Sequence, residues 1–576
     1  MTQVQGFGDK VGFIWSVADL LRGDYKAHEY GQVILPLTVL RRLDCVLEPT
    51  KAAVIARAAD LAGKIENVEP LLLRAAGQPF YNTSPLDFAR LLDDPGNVAG
   101  NLRTYIAGFS TGAVEVLDRY GFDNQITRLD NAGLLFHVVS RFADVDLHPQ
   151  AVPNDAMGYI FEELLRKFSE MSNETAGEHF TPREVIRLMV NILFSEDDDL
   201  LRGGSPVRTM FDCACGTGGM LTGGQEHLTG LNPKARLEVF GQELNPETWA
   251  IARSDLMIKG QDPGRIRLGN SLSADEFSGQ RFDYMIANPP FGVDWKRIQK
   301  QLTDEHTQLG HNGRFGAGLP RVSDGSLLFL QHLMSKMKPA AKGGSRIAIV
   351  FSGSPLFSGG AGSGESEIRR WIIENDMLEG VVALPDQLFY NTGIGTYFWV
   401  VTNRKADHRR GKVVLLDARA EWAKMHKGLG EKRKYVRDEQ IATLTALYHH
   451  ALDQSDDRVK VFENTDFGYQ RIFVERAKTG EDGKPVLNRK GLVADPDLRD
   501  NENVPLTENI DDYMKREVLP HVPEAWIDTT KTKTGYEIPF TRHFYRYTPP
   551  RALGDIDADI ARVESDIQRV LNRVVK

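Results

Sequence analysis

The sequence predicts an α/β protein, with a mostly parallel sheet covered by helices, a helical head before it and a mixed region after it that ends in a heptad helix. Three observations carry that expectation. Short β-type runs alternate with helical segments from about residue 205 to 420, apolar residues recur at helical spacing within residues 10–150, and the final apolar residues step by 3 and 4. The chain has 576 residues, room for three to five domains at roughly 100–200 residues each. Apolar residues at 41% and charged residues at 26% are the ordinary globular balance, which excludes wholesale disorder and fibrous repeats.

The head is read as residues 1–150. Its apolar positions Phe13, Ile14, Trp15, Val17, Leu20 and Leu21, then Val33, Ile34, Leu37, Leu40 and Leu43, fall at helical spacing, and strand-like runs are scarce. The acidic, glycine-ended SEDDDLLRGG (195–204) reads as a loop before a new architecture. There follow VRTMFD (207–212), LEVFGQE (237–243), FDYMIAN (282–288), RIAIVF (346–351) and GVVALP (380–385), the pattern of βαβ units. Two further runs, TYFWVVTN (396–403) and KVVLLDA (412–418), joined by the short RKADHRRG, predict an antiparallel hairpin at the sheet edge. The α/β domain is therefore placed at 151–420.

Residues 421–550 form a mixed region to which the sequence assigns no fold. Its basic run, Lys424, Lys427, Lys432, Arg433 and Lys434, reads either as a track for DNA phosphates or as a solvated face. In residues 551–576, Leu553, Ile556, Ile560, Val563, Ile567, Val570 and Val574 form a heptad seam on a charged helix. Such a seam needs a cover, either a partner helix or the chain itself.

With 70 basic and 79 acidic residues the net charge is -9, so contact with nucleic acid would need local basic patches or a basic partner. Cys45, Cys213 and Cys215 are too few for a disulfide framework, and the last two lack the further ligands of a structural zinc site. No metal is expected, and a reducing cytoplasm fits best. MTQVQGFGDK lacks the charged-then-apolar pattern of a signal, and no run approaches 18 apolar residues, so neither secretion nor a membrane partner is expected.

Candidate chemistry begins at Asp212-Cys213-Ala214-Cys215-Gly216-Thr217-Gly218-Gly219, between a strand and a helix. Glycines at such a turn let the backbone approach a ligand, and the following helix presents amide donors. The same pattern serves dinucleotides, S-adenosylmethionine or tight packing alone. The next strand ends in Gln242-Glu243, where a carboxylate is placed to accept from both hydroxyls of a ribose. Asn288-Pro289-Pro290-Phe291 then stands at the carboxyl end of FDYMIA, where open α/β sheets bind ligands. Prolines turn the chain out of the sheet there. The side-chain carbonyl of Asn288 and the backbone carbonyl of Pro289 suit an exocyclic amine, and Phe291 offers a face to a planar base flipped from its stack. No strong base is required, because an amine attacking a sulfonium methyl group loses its proton as it gains the methyl; alignment carries most of the catalysis.

The glycine turn followed by Asn-Pro-Pro-Phe resembles the amino-methyltransferases that use S-adenosylmethionine. The surroundings narrow the resemblance to the modification (M) subunits of type I restriction-modification systems. Glu178-His179-Phe180-Thr181-Pro182-Arg183 is similar to that family's segment beside the methionine part of the cofactor, and its place before the glycine turn matches the γ motif order. IWSVADLLRG and VILPLTVLRRLDCVLEPTK resemble the family's helical domain. The stretch from GSPLFSGG to FWVVTNRK (353–405) resembles the distal catalytic half, and HVPEAWID, GYEIPFTRHFYRY and the heptads resemble the tail of longer members.

The resemblance implies a Rossmann-like S-adenosylmethionine-dependent methyltransferase sheet and adenine N6 methylation of double-stranded DNA. It implies cofactor contacts at Glu178, His179, Phe180, Thr181, Pro182, Arg183, Thr217, Gly218, Gly219 and Glu243, with Asp212 and Gly216 supporting the methionine end. Asn270 would either face the cofactor's adenine or cap its own loop. Asn288, Pro289, Pro290 and Phe291 would form the catalytic tetrad. Cys213 and Met220 stand where related enzymes often have proline and phenylalanine; neither change removes a polar contact. The resemblance further implies a separate specificity (S) subunit that chooses the sequence, two M subunits per S, and in complete systems a restriction (R) subunit. This chain shows no Gly-x-x-x-x-Gly-Lys-Ser/Thr loop for ATP-driven chemistry.

Other classes stay in view. Cytosine C5 methylation requires a Pro-Cys nucleophile that the chain lacks. Cytosine N4 methylation usually shows serine in place of Asn288. A self-sufficient γ-type DNA amino-methyltransferase, a protein glutamine methyltransferase and a non-catalytic assembly protein are the remaining alternatives.

Overall fold

The computed structural model describes residues 12, 16–171, 181–197, 201–429, 431–481, 484–488, 491–545, 547 and 551–574. The chain divides into two compact units, Met1–Ile538 and Pro539–Lys576.

In the first unit the head is helical and built on the long helix Tyr30–Leu61. It buries Val33, Ile34, Leu37, Leu40 and Leu43, the stripe legible in the sequence, and packs on the helices Glu69–Ala76, Phe122–Asn131, Leu135–Ala143 and Asn154–Met171. Of the preceding stripe, Val17 and Leu21 are buried, while Phe13, Ile14 and Trp15 lie outside the described residues. Arg42, fully buried on the long helix, donates to Val152 O at 2.8 Å and to Asn154 Oδ1 at 2.7 Å. Asn154 Nδ2 in turn donates to Lys259 O at 3.0 Å, so the buried Arg42 is linked through Asn154 to the α/β domain. Tyr120 Oη donating to Ser254 Oγ at 3.2 Å and Arg253 paired with Glu115 at 3.1 Å complete that joint.

The central sheet has nine strands: β1 (Val207–Asp212), β2 (Arg236–Glu243), β3 (Ile266–Leu268), β4 (Tyr284–Ala287), β5 (Arg346–Ser352), β6 (Leu378–Ala383), β7 (Thr396–Thr402), β8 (Lys412–Asp417) and an eleventh strand of the chain, introduced below. β3, β2, β1, β4 and β5 run parallel as consecutive neighbours. β4 and β6 are buried along their whole length, as expected of strands covered on both faces.

Two expectations are corrected here. TYFWVVTN and KVVLLDA do not form a hairpin: β7 runs antiparallel between β5 and β6, and β8 pairs parallel with β6. Both edges of β7 are already taken, so β8 adds at the remaining edge of β6. Nor does the sheet end near residue 420. After the hairpin of β9 (Ala423–Leu429) and β10 (Lys432–Tyr435) and the helix Asp438–His449, β11 (Val459–Glu463) returns to pair antiparallel with β8 as the edge strand.

The basic run sits on the β9–β10 hairpin, and neither sequence reading describes Lys432. It is 3% exposed and ion-paired with Glu184, and burial holds its ammonium below the ordinary lysine range while that carboxylate opposes the shift. Lys434 is ion-paired with Asp386 and lies 4.3 Å from the centre of the Trp422 ring.

The region left unassigned by the sequence also folds. β12 (Gly468–Glu475) is flanked by β15 (Asp500–Pro505) on one side and by β16 (Trp526–Ile527) and β17 (Lys533–Tyr536) on the other, with the two-residue strands β13 (Leu487–Asn488) and β14 (Gly491–Leu492) pairing between them in sequence. Its small core is Ile472, Val474, Val504, Met514 and Val518. Arg369, buried on the helix Gly364–Glu374, docks this sheet by donating to Tyr536 O at 2.6 Å and to Pro355 O at 3.0 Å.

In the second unit the helix Leu553–Val574 carries the heptad seam, and Ile560, Val563, Ile567 and Val570 are exposed. Among the described residues, no helix is long and apolar enough to cross a membrane.

Candidate active site

The carboxyl ends of β1, β2 and β4 lie side by side, because β1 pairs with both of the others. At the tip of β1 the chain turns through Gly216 (φ +53°) and Gly218 (φ +85°), a left-handed region in which an L side chain is strained. The turn is held by Cys215 N donating to Gln242 O at 3.1 Å and Gly218 N donating to Cys215 O at 2.8 Å. Gly219 then begins the helix Gly219–Leu231 with Gly218 as its cap. The first-turn amides of a helix have no intrahelical acceptor, so a helix N-terminus can offer them to a ligand.

Glu243, at the tip of β2, is buried and closes on the turn. Its Oε2 accepts from Gly216 N at 2.8 Å and its Oε1 from Asn245 N at 2.7 Å. A carboxylate has about four lone-pair positions, so one on each oxygen remains, enough for a pair of neighbouring hydroxyls. Asp212 is fully enclosed beside it and accepts from Ala214 N at 2.9 Å. Burial, reinforced by the charge of Glu243 and opposed by the Ala214 amide, pushes the Asp212 carboxyl up to about 8. Burial likewise raises the Cys213 and Cys215 thiols well above the ordinary value, so neither is a ready nucleophile.

At the tip of β4 the arrangement differs. Asn288 Nδ2 donates to Thr181 Oγ1 at 2.9 Å, and Asn288 Oδ1 is buried with no hydrogen-bond partner among the described residues. A buried acceptor left open costs about 1–3 kcal/mol. Pro289 is buried, Pro290 is exposed, and the half-buried Phe291 meets the Phe389 ring edge-on, centroids 6.4 Å apart.

The predicted site residues are thus distributed unevenly. Asp212, Gly216, Gly218, Gly219 and Glu243 form one cluster, and half-buried Thr217 lies in the same turn. Thr181 is drawn to Asn288, Pro182 caps the helix Arg183–Ser195, and Arg183 is ion-paired with Glu162. Asn270 Oδ1 accepts from Leu272 N at 2.9 Å and so caps its own loop. Glu178, His179 and Phe180 lie outside the described residues. Two contributors escaped sequence reasoning. Ser271 Oγ donates to Cys213 O at 2.6 Å and fastens the loop after β3 to the glycine turn. Phe389 backs Phe291, its only sequence signal being an aromatic pair in the glycine-ended loop after β6. Among the described residues no group of three His, Cys, Asp or Glu side chains is arranged to hold a metal ion.

The sheet that carries both clusters has the Rossmann-like methyltransferase form expected from the sequence. The family model described as N-6 DNA Methylase matches residues 152–467, more than half of the chain, and the HsdM N-terminal domain model matches residues 11–142. The chain belongs to the N-6 DNA methylase family, as a modification subunit of the type I restriction-modification kind.

Among similar proteins, the type I restriction enzyme MjaIX methylase subunit of Methanocaldococcus jannaschii is 26% identical over 484 residues, 81% of each chain. The HindI methylase subunit of Haemophilus influenzae is 28% identical over 268 residues, 46% of this chain and 54% of that one. In three dimensions, the type I restriction-modification system methyltransferase subunit from Streptococcus thermophilus superposes with a TM-score of 0.61 at 21% identity, covering 80% of this chain and 97% of that one. A chain solved for complex assembly and conformational transition of the type I R-M system gives 0.55 at 20% identity, covering 100% of this chain and 98% of that one.

Proposed function

We propose that this subunit methylates adenine N6 in double-stranded DNA, on a base flipped from the duplex, at sequences chosen by a separate specificity subunit. The observation that carries the reading is the buried Asn288 Oδ1, without a hydrogen-bond partner among the described residues, whose amide nitrogen is held by Thr181. The residues fit S-adenosylmethionine: Glu243 has lone pairs left for a ribose diol, the turn at Gly216–Gly218 leaves backbone room, and Asp212 would accept from a methionine ammonium. When bound, that group supplies an electrophilic methyl.

The chain's own part is geometric. Asn288 Oδ1 and the Pro289 carbonyl accept the two amine hydrogens, which turns the nitrogen lone pair toward the methyl. Phe291 stacks the base, with Phe389 fixing its edge. The amine's proton leaves as the methyl arrives, so alignment does the work of a base.

Assembly with two such chains per specificity subunit, and with a restriction subunit where one exists, is supported by the exposed seam Ile560, Val563, Ile567 and Val570. The free thiols of Cys45, Cys213 and Cys215 support a reducing cytoplasm. The test is to purify the tagged chain from its native cell with its partners, supply duplex DNA and isotope-labelled S-adenosylmethionine, and locate the label by mass spectrometry. Label on adenine N6 only when a second, specificity-like polypeptide co-purifies is the expected result. Label on protein glutamine would overturn the chemistry, and label on adenine from the isolated chain would make the enzyme self-sufficient.

A further inference from the structure

Lys432 belongs to the basic run, yet its ammonium is turned inward. Nζ is ion-paired with Glu184, donates to Leu388 O at 2.8 Å and lies 5.6 Å from the centre of the Tyr390 ring. These contacts join two walls. Glu184 stands in the first turn of the helix Arg183–Ser195, which Val185 N and Ile186 N close onto Pro182 O, next to the Thr181 that holds the Asn288 amide. Leu388 precedes Phe389, whose ring meets Phe291. The hairpin reinforces the second wall: Glu431 N donates to Tyr390 O at 2.8 Å and Arg433 N to Gln387 O at 2.9 Å. Gln387, a non-glycine residue at φ +55°, is kept in that strained conformation by the loop so anchored.

We propose that Lys432 is a positioning residue for methyl transfer, clamping the wall that orients Asn288 to the wall that backs Phe291. The inference rests on the reading above that the Asn288–Phe291 tetrad holds the target base. A buried ammonium whose partners lie on both walls holds them together, and removing one partner leaves an uncompensated charge that drives them apart.

The test compares wild type, Lys432→Met, Lys432→Arg and Glu184→Gln in the full chain with its co-purifying partners. The readouts are single-turnover transfer to adenine, S-adenosylmethionine affinity, and the salt dependence of DNA binding. Lys432→Met should slow transfer by about ten- to a hundredfold, the scale of a sub-ångström to ångström misplacement. Both affinities should stay within about twofold. The salt slope should not change, Lys432→Arg should recover part of the rate, and adding Glu184→Gln to Lys432→Met should cost little more. An unaltered rate overturns the proposal. So does a salt slope reduced by about 0.9, which would make Lys432 a phosphate contact. If Lys432→Met does not fold, Glu184→Gln alone carries the same comparison of rate against affinity. A wild type that labels no adenine would refute the underlying function instead, and is seen before any variant is made.

Discussion

At the tip of β2 both Glu243 oxygens already hold backbone amides, whereas at the tip of β4 one end of the Asn288 amide is held and the other has no partner among the described residues. The first region is assembled before any ligand arrives: its carboxylate shapes the turn and has acceptor capacity left over. The second keeps an open acceptor in a buried place. The difference teaches that the two regions are prepared differently. A satisfied site binds with little rearrangement, while an orphan acceptor rewards only the group that supplies its missing donor.

The sharpest way to break this comparison is Asn288→Ala. Methyl transfer should fall by about two to three orders of magnitude, the usual cost of losing one preorganised polar contact at a reacting centre. Cofactor affinity, measured by calorimetry, should change less than about twofold. Equal losses in both would mean that the two regions are one site. Glu243→Gln should act in the opposite sense, weakening S-adenosylmethionine binding by roughly ten- to a hundredfold, since hydrogen bonds to a charged acceptor contribute about 1.5–3 kcal/mol. A variant that binds normally but transfers slowly would place Glu243 with the target instead.

The smallest expected effect comes from Asp212. Its carboxyl is raised from the unfolded value near 3.9 to about 8 in the ligand-free fold. The folded state therefore keeps a proton that the unfolded chain has released, and stability falls as pH rises through that window. Thermal midpoints at pH 5 and pH 8 should differ more for wild type than for Asp212→Asn, by about 3 °C for a chain of this size. Saturating S-adenosylmethionine should shrink the difference, because a nearby ammonium favours the carboxylate. A pH response identical in wild type and variant would remove Asp212 from the account.

Much of the molecule was legible in local pattern. The runs at β1, β2, β4, β5 and β6, the stripe Val33–Leu43, the glycine turn, the acidic tip at Glu243 and the tetrad at Asn288 are each written within a dozen residues, where periodicity and turn chemistry act. The heptad seam is equally local, and it stands exposed on its helix.

Pairing and burial were not legible. β7 enters between β5 and β6, and β11 returns to β8 across a hairpin and a helix, because strands compete for whichever edge is open once the chain collapses. That Thr181 also holds the Asn288 amide, 107 residues away, is written nowhere in its local pattern. Lys432 reads as a surface charge but becomes a buried ion, because its carboxylate partner arrives from 248 residues upstream. Residue types and spacing determine which local elements and which chemistry a chain can offer. A charge's solvation and an amide's orientation depend on what the fold brings beside them, and here only three-dimensional contact settled both.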